Sequence, residues 1–97
     1  MRIISFGTIR DYIAKNPDSD IALREWYIKA KQSKWTCFAD VRNTFNCAYS
    51  VGYDRFVFNI KGNHYRLVAI ILYKLGYIYI RFIGTHSEYD KIDCSSI

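Results

Sequence analysis

The chain has 97 residues, with fourteen Lys and Arg against nine Asp and Glu, a formal net charge of +5. That length builds one core and not two, so residues 1–97 are expected to form a single domain, and with 51% hydrophobic and 18% aromatic residues the chain is no disordered tail. No apolar run reaches the eighteen or so residues of a membrane helix, while the positive balance favours RNA, DNA or a short acidic peptide as partner without choosing among them.

In chain order, Arg2 to Ser5 reads as a short strand that can join a sheet. The apolar start breaks at once into Gly7 and Arg10, too short for a signal peptide, so a cytoplasmic protein without membrane contact is expected. Thr8 is a candidate N-cap for a helix to about Asn16, with Ile9, Tyr12 and Ile13 on one face. Asn16-Pro17 stops it, because the residue before proline avoids the helical region. Ser19 or Asp20 then caps a second helix to about Gln32, with Ile21, Ala22, Trp26 and Ala30 at helical spacing and Leu23 and Tyr27 alongside. Lys29, Lys31 and Lys34 crowd its C-terminal end, where they complement the helix dipole or touch RNA phosphates. Phe38 to Phe45 reads as one or two helical turns, and Asn46 to Asp54 as a loop. Cys37, Cys47 and Cys94 are expected as free thiols, and no Cys or His pair has a metal-ligand spacing, so no metal site is expected.

From Arg55 to Asp93 three β-rich runs are separated by Lys61-Gly62-Asn63 and Leu75-Gly76, the pattern of a three-stranded antiparallel meander. A two-residue turn at Leu75-Gly76 sets Ile71 opposite Ile80 and Ala69 opposite Phe82. One face then carries Tyr65, Leu67, Ala69, Ile71, Ile78, Ile80 and Phe82, with Phe56 and Phe58, and reads as core. The other carries Arg55, Val57, Asn59, His64, Arg66, Val68, Ile70, Tyr79 and Arg81. Cations on that face either blunt edge aggregation or serve a ligand.

A ribonuclease that works without metal needs a base for the 2′-hydroxyl, an acid for the leaving 5′-oxygen, and cations on the phosphate. Arg66 and Arg81, beside Asn59, supply guanidinium forks suited to phosphate, or else form surface ion pairs. His86 follows the third strand in a polar segment; histidine exchanges protons near neutral pH, although it also serves in turns and caps. Tyr89, Asp90 and Lys91 follow within about a turn, which sets His86, Tyr89 and Asp90 at three- and four-residue spacing on one side of a short helix. Thr85 and Glu88 fit a capping box for that turn. His64 and Lys61 lie near the first hairpin turn, as bystanders or RNA contacts.

The runs Val57-Phe58-Asn59-Ile60, Gly62-Asn63, Tyr65-Arg66-Leu67-Val68, Tyr79-Ile80-Arg81, Gly84-Thr85-His86 and Glu88-Tyr89-Asp90 resemble the HigB family of the RelE/ParE superfamily of toxins. Upstream, Trp35 and the Asp40-Val41-Arg42 run before Phe45 fit the same pattern, whereas Lys61 stands where many members carry glycine. The resemblance implies a RelE-like α+β fold: a small antiparallel sheet, made of a short N-terminal strand and the C-terminal meander, packed on two N-terminal helices, with a short C-terminal helix. It implies an endoribonuclease that cleaves mRNA on the translating ribosome without metal or cofactor. Its expected partner is a HigA-like helix-turn-helix antitoxin, with operator DNA bound only through that complex. By position, Arg66, Arg81 and His86 would be central, with Tyr89, Asp90 and Lys91 supporting; the residues themselves, apart from the resemblance, make Asn59, Lys61, His64, Lys31 and Lys34 the expected RNA contacts. A ParE-type gyrase toxin and a non-catalytic RNA- or peptide-binding module remain alternatives, since fold does not fix function.

Overall fold

A computed structural model describes residues 1–94 and 97. In chain order the elements are β1 (Arg2–Ile4), α1 (Phe6–Lys15), a 3-10 turn (Pro17–Ser19), α2 (Asp20–Gln32), α3 (Phe38–Thr44), β2 (Tyr49–Gly52), β3 (Arg55–Ile60), β4 (Tyr65–Leu72), β5 (Tyr77–Thr85) and α4 (His86–Tyr89). The five strands form one sheet in the order β1-β5-β4-β3-β2, with β1 parallel to β5 and the other neighbours antiparallel. This is the expected α+β arrangement, extended by one strand and with the N-terminal strand joined parallel rather than antiparallel.

The added strand is β2. The 46–54 region, expected as a loop, supplies Tyr49–Gly52, which pairs with β3. Tyr53 and Asp54 between them have φ of 55° and 60°. Two left-handed central residues are what a twisted two-residue hairpin requires, here without the usual Asn or Gly.

Helices α1, α2 and α3 lie on one sheet face. Ile9 and Ile13 of α1, Leu23, Trp26 and Ala30 of α2, and Val41 of α3 meet Phe56, Phe58, Leu67, Ala69, Ile71, Ile78 and Ile80 in the core. An aromatic cluster sits at its centre: Trp26, Trp35 and Phe45 all pack around Phe58, at ring separations of 5.4, 6.4 and 5.4 Å. Full burial of each such side chain contributes roughly 1.5–3 kcal/mol. The helix starts differ from expectation. α1 begins at Phe6, so Thr8 lies inside its first turn and does not cap it; Ser5 precedes the helix in a left-handed conformation. Ser19 holds the N-cap position of α2, but its hydroxyl donates to the Asn16 carbonyl at 2.7 Å rather than capping.

The meander is present with a different register. Four residues, 73–76, connect β4 to β5, so Ile71 faces Ile78 and Ala69 faces Ile80. The two-residue displacement leaves each side chain on its expected face. Beyond it, β5 gains one residue: Ala69 pairs with Ile80 but Val68 with Phe82, leaving Arg81 as the extra residue of a bulge. The alternation inverts there, so Ile83, not Phe82, joins the core.

Candidate active site on the second sheet face

The face away from the helices carries the rungs Tyr49–Val57–Val68–Phe82 and Asn59–Arg66–Gly84. Val57 and Val68 are fully buried although they stand outside the main core. On this side α4 folds back onto β4 and β5. Gly84 makes that approach possible: a Cβ there would lie 2.5 Å from Cζ of Phe82 and 3.2 Å from the Cβ of Glu88. Thr85 caps α4 in the expected box, its Oγ1 accepting from the Glu88 N–H at 3.2 Å while the Glu88 carboxylate accepts from the Thr85 N–H at 2.8 Å.

The cap orients the four-residue helix. His86 Nδ1 lies 3.0 Å from Asp90 Oδ2, one turn on, and both side chains are about half exposed. Tyr89 turns the other way: its hydroxyl meets that of Tyr49 at 2.9 Å. Burial, with hydrogen bonds to Cys94 and Tyr49, holds the Tyr89 phenol well above its ordinary value of 10.0 and hence neutral. The helical spacing therefore brings His86 and Asp90 together and takes Tyr89 to the sheet. Lys91 is exposed beside them.

Arg66 is 7% exposed, and its Nη1 donates to the carbonyls of Asn63 and Tyr65, both at 3.3 Å. Among the described residues its Nε and Nη2 have no hydrogen-bond partner, which leaves one edge of the fork for an anion. Asn59, across the rung, donates to Asn63 Oδ1 at 3.3 Å. The turn thus binds both polar residues of that rung. His64 closes the group: its Nδ1 lies 3.0 Å from the Lys61 carbonyl, and its own carbonyl accepts from the His86 N–H at 3.2 Å.

Asn59, His64, Arg66, His86 and Asp90 therefore gather at one end of the face, with Tyr89 and Lys91 adjoining. The other candidates lie apart. Arg81 is exposed at the bulge, three residues along β5 from the partner of Arg66, roughly 10 Å at strand rise, where the bulge takes it out of the alternation that set both arginines on one face. Lys61 turns toward the helical layer and pairs with Asp18 at 3.2 Å. Asp18 also accepts from the Tyr65 hydroxyl at 2.6 Å; that bond and the lysine hold its carboxyl below 3.8, while Asp18 pushes the Tyr65 phenol up to about 12. The Lys31 ammonium sits 5.7 Å over the Tyr27 ring. Lys34 lines a hollow with Arg2, Trp35 and Gly76, at the start of β5 and roughly 30 Å of strand from His86.

Two participants went unrecognised in the sequence. Tyr49 was hidden in the presumed loop. Asn63 looked like turn chemistry alone. Arg55, on the same face but at its other end, donates through Nε and Nη2 to the Ile97 carbonyl and through Nη1 to that of Tyr53. Among the described residues no group of His, Cys, Asp and Glu has the arrangement of a metal site, and no helix is long and apolar enough to cross a membrane.

Comparison with known proteins gives this geometry a context. The family model of the HigB toxins, described as the RelE-like toxic component of a toxin–antitoxin system, matches residues 19–92. A protein named mRNA interferase HigB from Escherichia coli O6:H1 (strain CFT073) is 27% identical over 94 residues, covering 95% of this chain and 91% of its own length. The mRNA interferase toxin HigB of Escherichia coli K12 and the mRNA interferase HigB of Shigella flexneri are each 28% identical over 97 residues, covering 93% of this chain and 88% of theirs.

Proposed function

The chain belongs to the HigB toxin family, the RelE-like toxic component of a toxin–antitoxin system, and on that footing we propose that it is an endoribonuclease that cleaves mRNA on the translating ribosome. The relatives named mRNA interferase support the substrate class. The observation that carries the reading is the His86–Asp90 pair, 3.0 Å apart, at the end of a face that also holds Arg66.

The chemistry follows from those groups. An imidazole anchored through Nδ1 presents Nε2 for proton transfer at neutral pH. The partly uncommitted Arg66 fork offers N–H donors to the charge that develops on the phosphate. Attack of the 2′-oxygen on phosphorus breaks the bond to the 5′-oxygen and leaves a 2′,3′-cyclic phosphate, a reaction for which side chains suffice. Asn59, Arg81 and Lys91 contribute RNA contacts around this centre. Lys31, Lys34 and Lys61, outside it, dock on ribosomal RNA by charge. The ribosome contributes what so small a site lacks, a substrate strand held in line for attack. A helix-turn-helix antitoxin neutralises the toxin, and that complex, not the toxin alone, binds operator DNA.

Primer extension on a reporter mRNA after brief induction tests this reading, with His86→Ala and Arg81→Ala beside the unchanged protein. New 5′ ends inside the translated region are expected, lost in His86→Ala, reduced in Arg81→Ala through weaker binding, and lost when initiation is blocked. Growth arrest with intact mRNA would overturn the reading in favour of a gyrase-directed toxin. Binding to RNA without cleavage or arrest would reduce it to a binding module.

A further inference from the structure

Two histidines flank the end of the β4–β5 ladder. The last rung, Tyr65–Thr85, belongs to the core side, and the next backbone bond runs from the His86 N–H to the His64 carbonyl at 3.2 Å. His64 thus takes the position opposite His86, on the Arg66 side of β4 by alternation. Opposite residues of such a ladder have Cα atoms about 4.5–5.5 Å apart. Two imidazoles there can reach the two sides of one phosphodiester.

Each ring is held by the same nitrogen. A carbonyl can only accept, so His64 Nδ1, 3.0 Å from the Lys61 carbonyl, carries a proton. His86 Nδ1 likewise faces a carboxylate, 3.0 Å from Asp90 Oδ2 as an ion-pair contact. Both side chains are exposed, and among the described residues neither Nε2 has a hydrogen-bond partner. The anchor of His64 is local, a turn in which Lys61 adopts φ 53° and returns its carbonyl to both the backbone N–H and the ring of His64. A histidine that only touched RNA would have no need of a fixed tautomer.

We propose that His64 and His86 form a two-histidine acid–base pair. This rests on the ribonuclease reading and assigns its second proton-transfer group. One Nε2 takes the 2′-hydroxyl proton as the 2′-oxygen bonds to phosphorus. The other Nε2–H protonates the 5′-oxygen as the P–O5′ bond breaks. After cleavage the two rings have exchanged protonation states, and solvent restores them.

The test is single-turnover cleavage of mRNA on translating ribosomes at saturating toxin, with His64→Asn and His86→Asn. Asparagine keeps an N–H near the Nδ1 position and removes Nε2. Each variant should keep its thermal midpoint and ribosome binding and lose at least about 100-fold in rate. A second mRNA carries sulfur in place of the bridging 5′-oxygen at the cleavage site, a leaving group that needs no proton. The variant lacking the acid should recover on it, and the variant lacking the base should not. A His64→Asn protein that binds more weakly but cleaves at full rate when saturated would overturn the pair and leave His64 an RNA contact. Recovery of both variants, or of neither, would overturn it as well. If the unchanged protein itself leaves the mRNA intact, it is the ribonuclease reading that fails.

Discussion

The hydroxyl of Tyr89 meets that of Tyr49 at 2.9 Å, although forty residues separate them in the chain. The contact ties α4 to the edge strand β2, on the face that holds the buried Val57 and Val68. Burial first, then hydrogen bonds to Cys94 and Tyr49, raise the Tyr89 phenol. A phenol so raised cannot act as a base near neutral pH, so its part at the site is to hold the helix that carries His86.

Tyr89→Phe should therefore cost about 0.5–1.5 kcal/mol of stability and reduce cleavage far less than His86→Asn. The phenol's folded value lies above its unfolded one, so its contribution is present below about pH 10 and declines as pH rises beyond it. Urea midpoints measured from about pH 8 to 11 should fall less steeply for Tyr89→Phe than for the unchanged protein. Parallel curves would show that the hydroxyl contact contributes nothing.

At the other side of the sheet, Asp18 takes the Tyr65 hydroxyl on one oxygen and the Lys61 ammonium on the other. Its carboxyl is lowered from 3.8, chiefly by the Tyr65 bond and then by Lys61. A depressed carboxyl stabilises above its unfolded value and loses that contribution as pH falls through the folded one. Asp18→Asn should lower stability at neutral pH and flatten the acid limb below about pH 4. An acid limb as steep as that of the unchanged protein would place the titration elsewhere.

Much of this fold is legible in local patterns. Ile9 and Ile13, or Trp26 and Ala30 with Leu23 alongside, face the core as their spacing implies, whereas Ile21, grouped with them by spacing, is 77% exposed. The alternation from Arg55 to Ile80 assigns faces correctly, because a register displaced by two residues leaves every side chain on its own side. A one-residue bulge has no such immunity. Nothing local distinguishes Arg81 as the extra residue, and with it Phe82 and Ile83 exchange faces. β2 escaped because Tyr53 and Asp54 turn the chain without glycine. At the site, the His86–Asp90 pair and the Thr85–Glu88 box follow from spacing within one turn. Tyr49 with Tyr89, and Arg55 with Ile97, join residues about forty positions apart, and only the folded sheet brings them together.

Gly84 is where α4 and Phe82 come closest to the sheet. A methyl group there would overlap Cζ of Phe82 at 2.5 Å and crowd the Cβ of Glu88 at 3.2 Å. The ring can rotate away, whereas the Cβ of Glu88 is fixed by the capped helix. Gly84→Ala should cost about 1–3 kcal/mol, and Phe82→Ala should relieve part of that loss. The measurement is a double-mutant cycle on unfolding free energy, with a coupling of at least about 0.5 kcal/mol expected. Strict additivity would mean that the helix, not the ring, bears the strain.

The two arginines should separate cleanly in a paired experiment. Arg66 is buried and bridges the carbonyls of Asn63 and Tyr65, so Arg66→Ala removes charged hydrogen bonds from the turn that carries His64. A loss of roughly 1.5–3 kcal/mol in stability is expected, together with loss of cleavage. Lysine has no planar fork with which to meet two carbonyls while offering a free edge, so Arg66→Lys should restore little. Arg81 stands exposed at the bulge, and Arg81→Ala should change stability by no more than about 0.5 kcal/mol. Its effect should appear in ribosome and RNA binding, as a salt dependence shallower by about one charge. If Arg81→Ala instead abolished cleavage at saturating toxin with unchanged binding, Arg81 would belong at the phosphate undergoing reaction. The β5 strand would then have to bring it there, with the bulge opposite Val68 and Ala69 as the place where the backbone moves.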